Sequence, residues 1–314
     1  MKSLRNIYSL FTRRRDKYAG TVPQSIGIPR ALYYYLHSGL WESYFTTLGF
    51  KVVLSAPTNR QTMEQTPYIS ESEHCLPVKI FDAHIAQLVT QVDMVFVPRI
   101  LSTLKKHISC PKLGALPDTV RAQFEDGARV LTVDINERKV PLKRSLKQLG
   151  KLLNKSPQLV ESAINNGMTS MKKNQAAFRH NSSEAGKYIL LLGHPYALYS
   201  SFIPDPVIQK LEAMKVPFRF VDYSPRVLDE GPLKWDACNI MYSALKDLNP
   251  ADCAGVIQLS FFNCGCDSIS ENLFRDILKE KGIPFMMFIL DEHTGRAGIE
   301  TRLEAFMDSI QIFL

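Results

Sequence analysis

The sequence predicts an α/β protein made of two parallel-sheet domains joined by a helical segment. Three observations carry this expectation. Apolar segments of about five to seven residues, rich in Val, Ile, Leu and Phe, recur along the chain. Most are separated by stretches whose apolar residues fall at helical spacing, the pattern of strands buried on both faces. The length of 314 residues also exceeds what one small core serves, so two domains are expected.

The elements follow in order. "QSIGIP" (24–29) reads as a strand, and "RALYYYLHSGLWESYFTTLG" (30–49) as one helix with recurring Leu, Tyr and Phe. "KVVLS" (51–55) is a β-branched strand followed by a long loop through "SESEHC". "LPVKIFDAHIAQLVTQ" (76–91) is a helix with Pro77 in its first turn, where a missing N–H costs little. "DMVFVP" (93–98) is a strand ended by Pro98, the stretch "RILSTLKKHISCPKLGALPD" a loop, and "ARVLTV" (128–133) another strand. Leu142, Leu146, Leu149 and Leu153 then mark one face of an amphipathic helix and Arg144, Lys147 and Lys151 another. A second helix runs on from Pro157. Strands resume at 187–193, 218–223, 254–260 and 284–290, with helices from Pro206 to Met214 and around 236–247, 268–280 and 298–311. The expected organisation is a basic extension (1–22), a first α/β domain (23–135), a helical bridging segment (136–185) and a second α/β domain (186–314).

Composition narrows the functional classes. An apolar fraction of 45% with 22% charged residues is that of an ordinary soluble protein. No stretch approaches the roughly 20 apolar residues of a membrane helix. The apolar run near the N-terminus is broken by Ser9 and too short for a secretory signal, so a cytoplasmic location is expected. The net charge of +7 is concentrated: residues 1–17 hold six Lys/Arg against Asp16, and 137–155 hold seven against Glu137. The remainder is slightly acidic, and no aromatic-studded basic motif occurs, which argues against a nucleic-acid binder. Each basic run fits a solvated face, or contact with an acidic partner or a phosphate-bearing ligand. Six cysteines without a secretory signal point to free thiols or metal ligands in a reducing compartment.

Ligands of open α/β sheets bind at the carboxyl ends of the strands. Cys75, Cys110 and Cys264 all fall in segments after predicted strands, and Cys266 lies one residue beyond Cys264 in "NCGCDS". Cys238, inside a predicted helix, and Cys253, just before a strand, read as core residues. His194 and the segment "DEHTGRAG" also follow strands. The spacing matches neither a zinc ribbon nor a ferredoxin run. Helix N-termini after Cys264 would stabilise a thiolate. Neither a P-loop nor the Rossmann dinucleotide fingerprint is present, which argues against ATP hydrolysis by this chain.

Taken together, "IGIPRAL", "LGFKVVLS", "ESEHCLPVKIFDAHIAQL", "VDMVFVPRI", "CPKLGALPD", "LLGHPYALYS", "IQLSFFNCGCDS" and "LDEHTGRAGIETRLEAF" resemble the 2-hydroxyacyl-CoA dehydratase superfamily. They are most similar to its activase-related, double-cubane-cluster-like branch. The resemblance implies two Rossmann-like (flavodoxin-like) domains with a [4Fe–4S] cluster, single or double cubane, at their interface. It maps the family's cysteine contexts onto Cys75 in "ESEHCLP", Cys110 in "CPK" and Cys264 in "SFFNCG". Cys266 would be a fourth ligand or help hold a second cubane. The implied role is low-potential electron transfer or reductive chemistry on a small substrate such as an acyl-CoA. The implied partners are an activating ATPase as electron donor, and a second copy or a dehydratase-like subunit. Two rival readings stand beside it: a non-catalytic scaffold clamped by a structural metal, and a metal-free α/β ligand-binding module.

Overall fold

The computed structural model describes residues 23–124, 129–177, 186–223 and 231–310; the basic extension expected over 1–22 lies outside them. Two four-stranded parallel sheets form the frame. In the first, β1 (Ser25–Ile28) lies between β2 (Lys51–Leu54) and β3 (Met94–Phe96), with β5 (Val130–Leu131) beyond β3. In the second, β7 (Tyr188–Gly193) lies between β8 (Phe218–Phe220) and β9 (Cys253–Phe261), with β10 (Phe285–Leu290) beyond β9. Counted within each half, the strand order is second, first, third, fourth in both. The halves are therefore topological copies of one flavodoxin-like plan, as the sequence predicts. In each, a crevice is expected between the ends of the first and third strands, where the winding reverses.

Local chemistry explains where the elements depart from the sequence reading. The helix expected over 30–49 is divided into a 3-10 turn (Leu32–Tyr34) and α1 (Leu40–Thr47). Gly39 between them has φ +83°, a conformation through which a right-handed helix cannot continue. Glu42 turns back to the Gly39 amide at 3.1 Å and starts α1. The long loop after β2 contains α2 (Arg60–Ile69), capped by Asn59, whose Oδ1 accepts from the Thr62 amide at 2.9 Å. Its buried residues are Thr62 and Thr66, so no apolar stripe announces it.

After α3 (Leu76–Leu88), the third strand does not end at Pro98. It continues as β4 (Arg99–Ser102), paired with β6 (Asp134–Asn136). The amides of Val95, Val97 and Arg99 bond the carbonyls of Arg129, Leu131 and Val133 in one ladder. Pro98 occupies the alternate position, whose N–H would point away from that ladder, past the end of β1. The "CPKLGALPD" stretch, read as loop, opens α4 (Pro111–Gln123). Gly114 and Pro117 lower its helical propensity, but Gly114 sits close to Leu101 and its carbonyl accepts from Arg99.

The two helices of the basic segment are α5 (Leu142–Leu152) and α6 (Pro157–Ala177). They pack on α1: Tyr44 donates to the Leu146 carbonyl at 2.7 Å, and an added Cβ on Gly167 would meet Leu40 at 2.9 Å. The second half is completed by α7 (Pro195–Leu198), α8 (Asp205–Ala213), α9 (Asp236–Lys246), α10 (Gly265–Glu280) and α11 (Arg296–Ile310). Its third strand, β9, is buried along its whole length, as a central strand must be. No helix among the described residues is long and apolar enough to cross a membrane.

Residues following the carboxyl ends of both sheets meet each other. Ile108 forms a parallel bridge with Trp235, and the Lys79 ammonium pairs with Glu292 at 2.8 Å. Asp236, buried at the start of α9, accepts from Tyr33 at 3.1 Å, from the Thr103 amide and hydroxyl at 3.1 and 2.7 Å, and from Ser109. One carboxylate thus collects donors from three segments of the first half.

Candidate functional site

Cys75, Cys110 and Cys264 each occupy the N-cap of a helix, heading α3, α4 and α10. Pro77 and Pro111 stand in the first turns of α3 and α4, where the absent N–H would have had no intrahelical acceptor. These helices run 13, 13 and 16 residues, so three N-terminal dipole ends are presented by the three thiol-bearing residues. The amides of Val78 and Lys112 favour the thiolates of Cys75 and Cys110, as does the Lys112 ammonium for Cys75.

The structure brings these thiols together. Cys75 lies in the electrostatic field of Cys110 and Cys264. Cys110 and Cys266 interact with each other, and Cys266 also interacts with Cys238 and Cys264. Cys75 and Cys110 come from the first half, the other three from the second. Electrostatic interactions therefore link all four sequence-predicted site residues, and Cys238, which the sequence places in the core, interacts with Cys266. Cys253 lies apart, its thiol bonded to the Gly255 carbonyl, as a core residue should.

Protonation follows from this crowding. Burial pushes the Cys75 thiol up, against the pull of Lys112. The hydrogen bond to Cys266 and burial raise Cys110. For Cys266, the interaction with Cys110 pulls downward, but that with Cys238 and burial outweigh it and the thiol is raised. Neighbouring thiols cannot all ionise without a cation between them.

His194, at the N-cap of α7, completes the second-half wall. Its Nε2 lies 2.9 Å from Asp267 Oδ1 and 4.0 Å from Cys264 Sγ. Ser260 at the end of β9 donates to the other Asp267 oxygen at 2.6 Å. Burial alone would depress the imidazole, but the Asp267 carboxylate more than offsets it and the pKa is raised well above normal. Burial pushes Asp267 upward, yet His194 and Ser260 hold its pKa below the ordinary value. The pair is a buried imidazolium–carboxylate. Tyr196 stacks on His194 at 5.0 Å with the rings nearly parallel. Ligand atoms of His194, Cys238 and Asp267 all lie within 4.8 Å of one another, a spacing that a metal ion could bridge.

The "DEHTGRAG" segment is mainly architectural. Asp291 accepts from Thr294 and from the His293 amide to close a turn, Arg296 pairs with Glu300, and Glu304 pairs with Lys210. Glu292 stands apart as the partner of Lys79. Sequence reasoning missed Asp236, Cys238 and Asp267. Asp267 carried a signal, since it directly follows Cys266; Asp236 and Cys238 sit in an unremarkable helical run, and the partners that matter come from distant segments.

What this arrangement can do is gather soft donors beside a positive charge. Five thiols, an imidazolium and three helix N-termini together suit a group that carries negative charge on sulfur or on a thiolate-bound metal. A family model described as "CoA enzyme activase uncharacterised domain (DUF2229)" matches residues 25–223. No curated protein matches the chain.

Proposed function

Because the chain belongs to the CoA enzyme activase domain family, we propose that it is a component of a 2-hydroxyacyl-CoA dehydratase system that carries an iron–sulfur cluster. Cys75, Cys110 and Cys264 would hold a [4Fe–4S] group, with Cys266 as a further ligand. The observation that carries this reading is the convergence of those thiols, each of the first three at a helix N-terminus, from both sheet domains. Soft thiolates select iron–sulfur groups, and the bound group would supply one-electron chemistry at low potential.

The chain's own residues have definite parts in this reading. The amides of Val78 and Lys112 and the Lys112 ammonium offset thiolate charge. His194, held positive by Asp267, does the same from the opposite wall. Tyr196 covers the imidazole, and Phe261 packs against Tyr196 in turn. The electron donor would be an activating ATPase, and the recipient a dehydratase partner or an acyl-CoA substrate.

The test is anaerobic purification with iron, sulfide and EPR measurements. A brown protein is expected, bleached by Cys75→Ala or Cys264→Ala. Colourless protein after anaerobic reconstitution with iron and sulfide would end the reading. One observation favours a second reading, a structural zinc clamp: the His194, Cys238 and Asp267 donors within 4.8 Å of each other. It predicts stoichiometric zinc, lost in Cys238→Ala but retained in Cys75→Ala.

A further inference from the structure

A cleft of about 510 Å³ opens where the turn after β4, the turn after β6 and the segment leading into α9 meet. Three chain segments bring it five cations: Lys105 and Lys106, Arg138 and Lys139, and Lys234. Among the described residues, none that line it is acidic. Among the described residues, no carboxylate forms an ion pair with Lys105, Arg138, Lys139 or Lys234. The nearby Glu137 feels Lys105 but commits Oε1 to the Leu142 amide at 2.9 Å, heading α5. Lys105, Arg138, Lys139 and Lys234 therefore leave positive potential for a ligand.

The cations are mounted on a fixed floor. His107 is buried; its Nδ1 lies 3.2 Å from the Leu233 carbonyl and its Nε2 3.1 Å from Asn239 Nδ2. Both ring nitrogens of His107 are thus engaged and the ring is fixed in place. Gly231 runs so close to Asn239 that a Cβ there would fall 1.8 Å from its Oδ1. The Ile108–Trp235 bridge then ties the β4 side of the cleft to the α9 side. The same β4–α4 connection carries Cys110 three residues beyond His107, at the head of α4.

We infer that this cleft binds a small molecule carrying two or more linked phosphates, of the nucleoside diphosphate type. Its volume is that of a small-molecule site, on the order of 300–1,000 Å³, and exceeds what one phosphate fills. Cations arriving from three directions suit charge spread over several phosphates, whereas a single phosphate would be met by one or two of them. Among the described residues, no aromatic side chain lines the cleft to stack a base, so recognition rests on the phosphates. The concave shape favours a small ligand over an acidic protein surface. The inference stands apart from the reading of the thiols, since none of the lining residues is a cysteine.

The test is isothermal titration of the full chain with inorganic pyrophosphate at low ionic strength. Single-site binding is expected, stronger than for orthophosphate and falling as salt rises. A Lys105→Ala/Arg138→Ala/Lys234→Ala triple variant should bind about tenfold more weakly or worse while keeping its thermal midpoint. A Lys143→Ala/Lys151→Ala control, on the exposed face of α5, should bind as the parent does. Absence of pyrophosphate binding, an unaffected triple variant, or equal loss in the control would each overturn the inference. So would binding of polyglutamate that pyrophosphate cannot displace, which would make the patch a docking face for an acidic protein. Iron content of the same triple variant reports separately on the thiol centre.

Discussion

The first half of the molecule buries His37 and His84 as neutral imidazoles, whereas the second buries His194 as an imidazolium. Strand order is the same in both, so the plan of the sheet does not decide the difference. In the first half burial has no carboxylate against it, and the pKa values of His37 and His84 are lowered to about 4. His84 shares a hydrogen bond with Thr58, which accommodates a neutral ring. In the second half Asp267, at 2.9 Å, outweighs the same desolvation. The comparison teaches that two copies of a scaffold can be tuned oppositely by one acidic residue. Here the tuned histidine is the one beside the thiols.

The largest expected effect breaks the joint between the halves. Asp236→Ala leaves the Tyr33, Thr103 and Ser109 donors without their acceptor, and should cost roughly 4 kcal/mol in urea unfolding. The chain's two tryptophans report on different places: Trp41 in the first-half core and Trp235 at the joint. Single-tryptophan variants should then show two transitions where the parent shows one. Coincident transitions in Asp236→Ala would mean that the halves are not held by this residue.

Next in size, Asp267→Asn removes the counter-charge of His194. The imidazole should revert to a depressed pKa, as in the first half, with a loss of about 3 kcal/mol at neutral pH. NMR titration of the His194 ring checks this, and an unchanged pKa would sink the account of the difference between the halves.

The pH dependence is a third test. Unfolded histidines titrate near 6.5, while folded His37 and His84 titrate near 4, so the unfolded state binds more protons between these values. Stability should therefore fall as pH drops from about 6.5 to about 4, by on the order of 2–3 kcal/mol for each histidine. His194 has the opposite sign: its contribution is complete below the unfolded value and fades as pH rises through its raised folded pKa. His37 lies edge-on to Trp41 at 5.5 Å, so Trp41 fluorescence should register the acid transition. An acid transition unchanged in a His84→Gln variant would contradict this assignment. The smallest effect is Ser260→Ala, which removes one hydrogen bond to Asp267 and should cost about 1 kcal/mol in thermal unfolding.

Much of this architecture can be read from single segments. The strands at β1, β2, β7, β9 and β10 and the helices α3, α5, α8 and α11 follow from runs and periodicities that need no distant partner. The elements that escaped were those with weak local signals: α2, whose buried residues are threonines, and α4, whose Gly114 and Pro117 look like loop residues until Leu101 and Arg99 are placed against them. The divided helix at Gly39 escaped because spacing reports a face and says nothing of a left-handed φ.

For the candidate site, the sequence alone determined where Cys75, Cys110, Cys264 and Cys266 lie relative to strand ends, and thus that they could face one region. It could not determine that Cys238 and Asp236 join the interface, because both sit in a helix that looks like any other. Only the tertiary structure decided which thiols share a field, that His194 is charged, and that scattered lysines surround one cleft. The physical reason is range: secondary structure is fixed largely by neighbours within a few residues, whereas desolvation and charge depend on whatever the folded chain brings within a few ångströms.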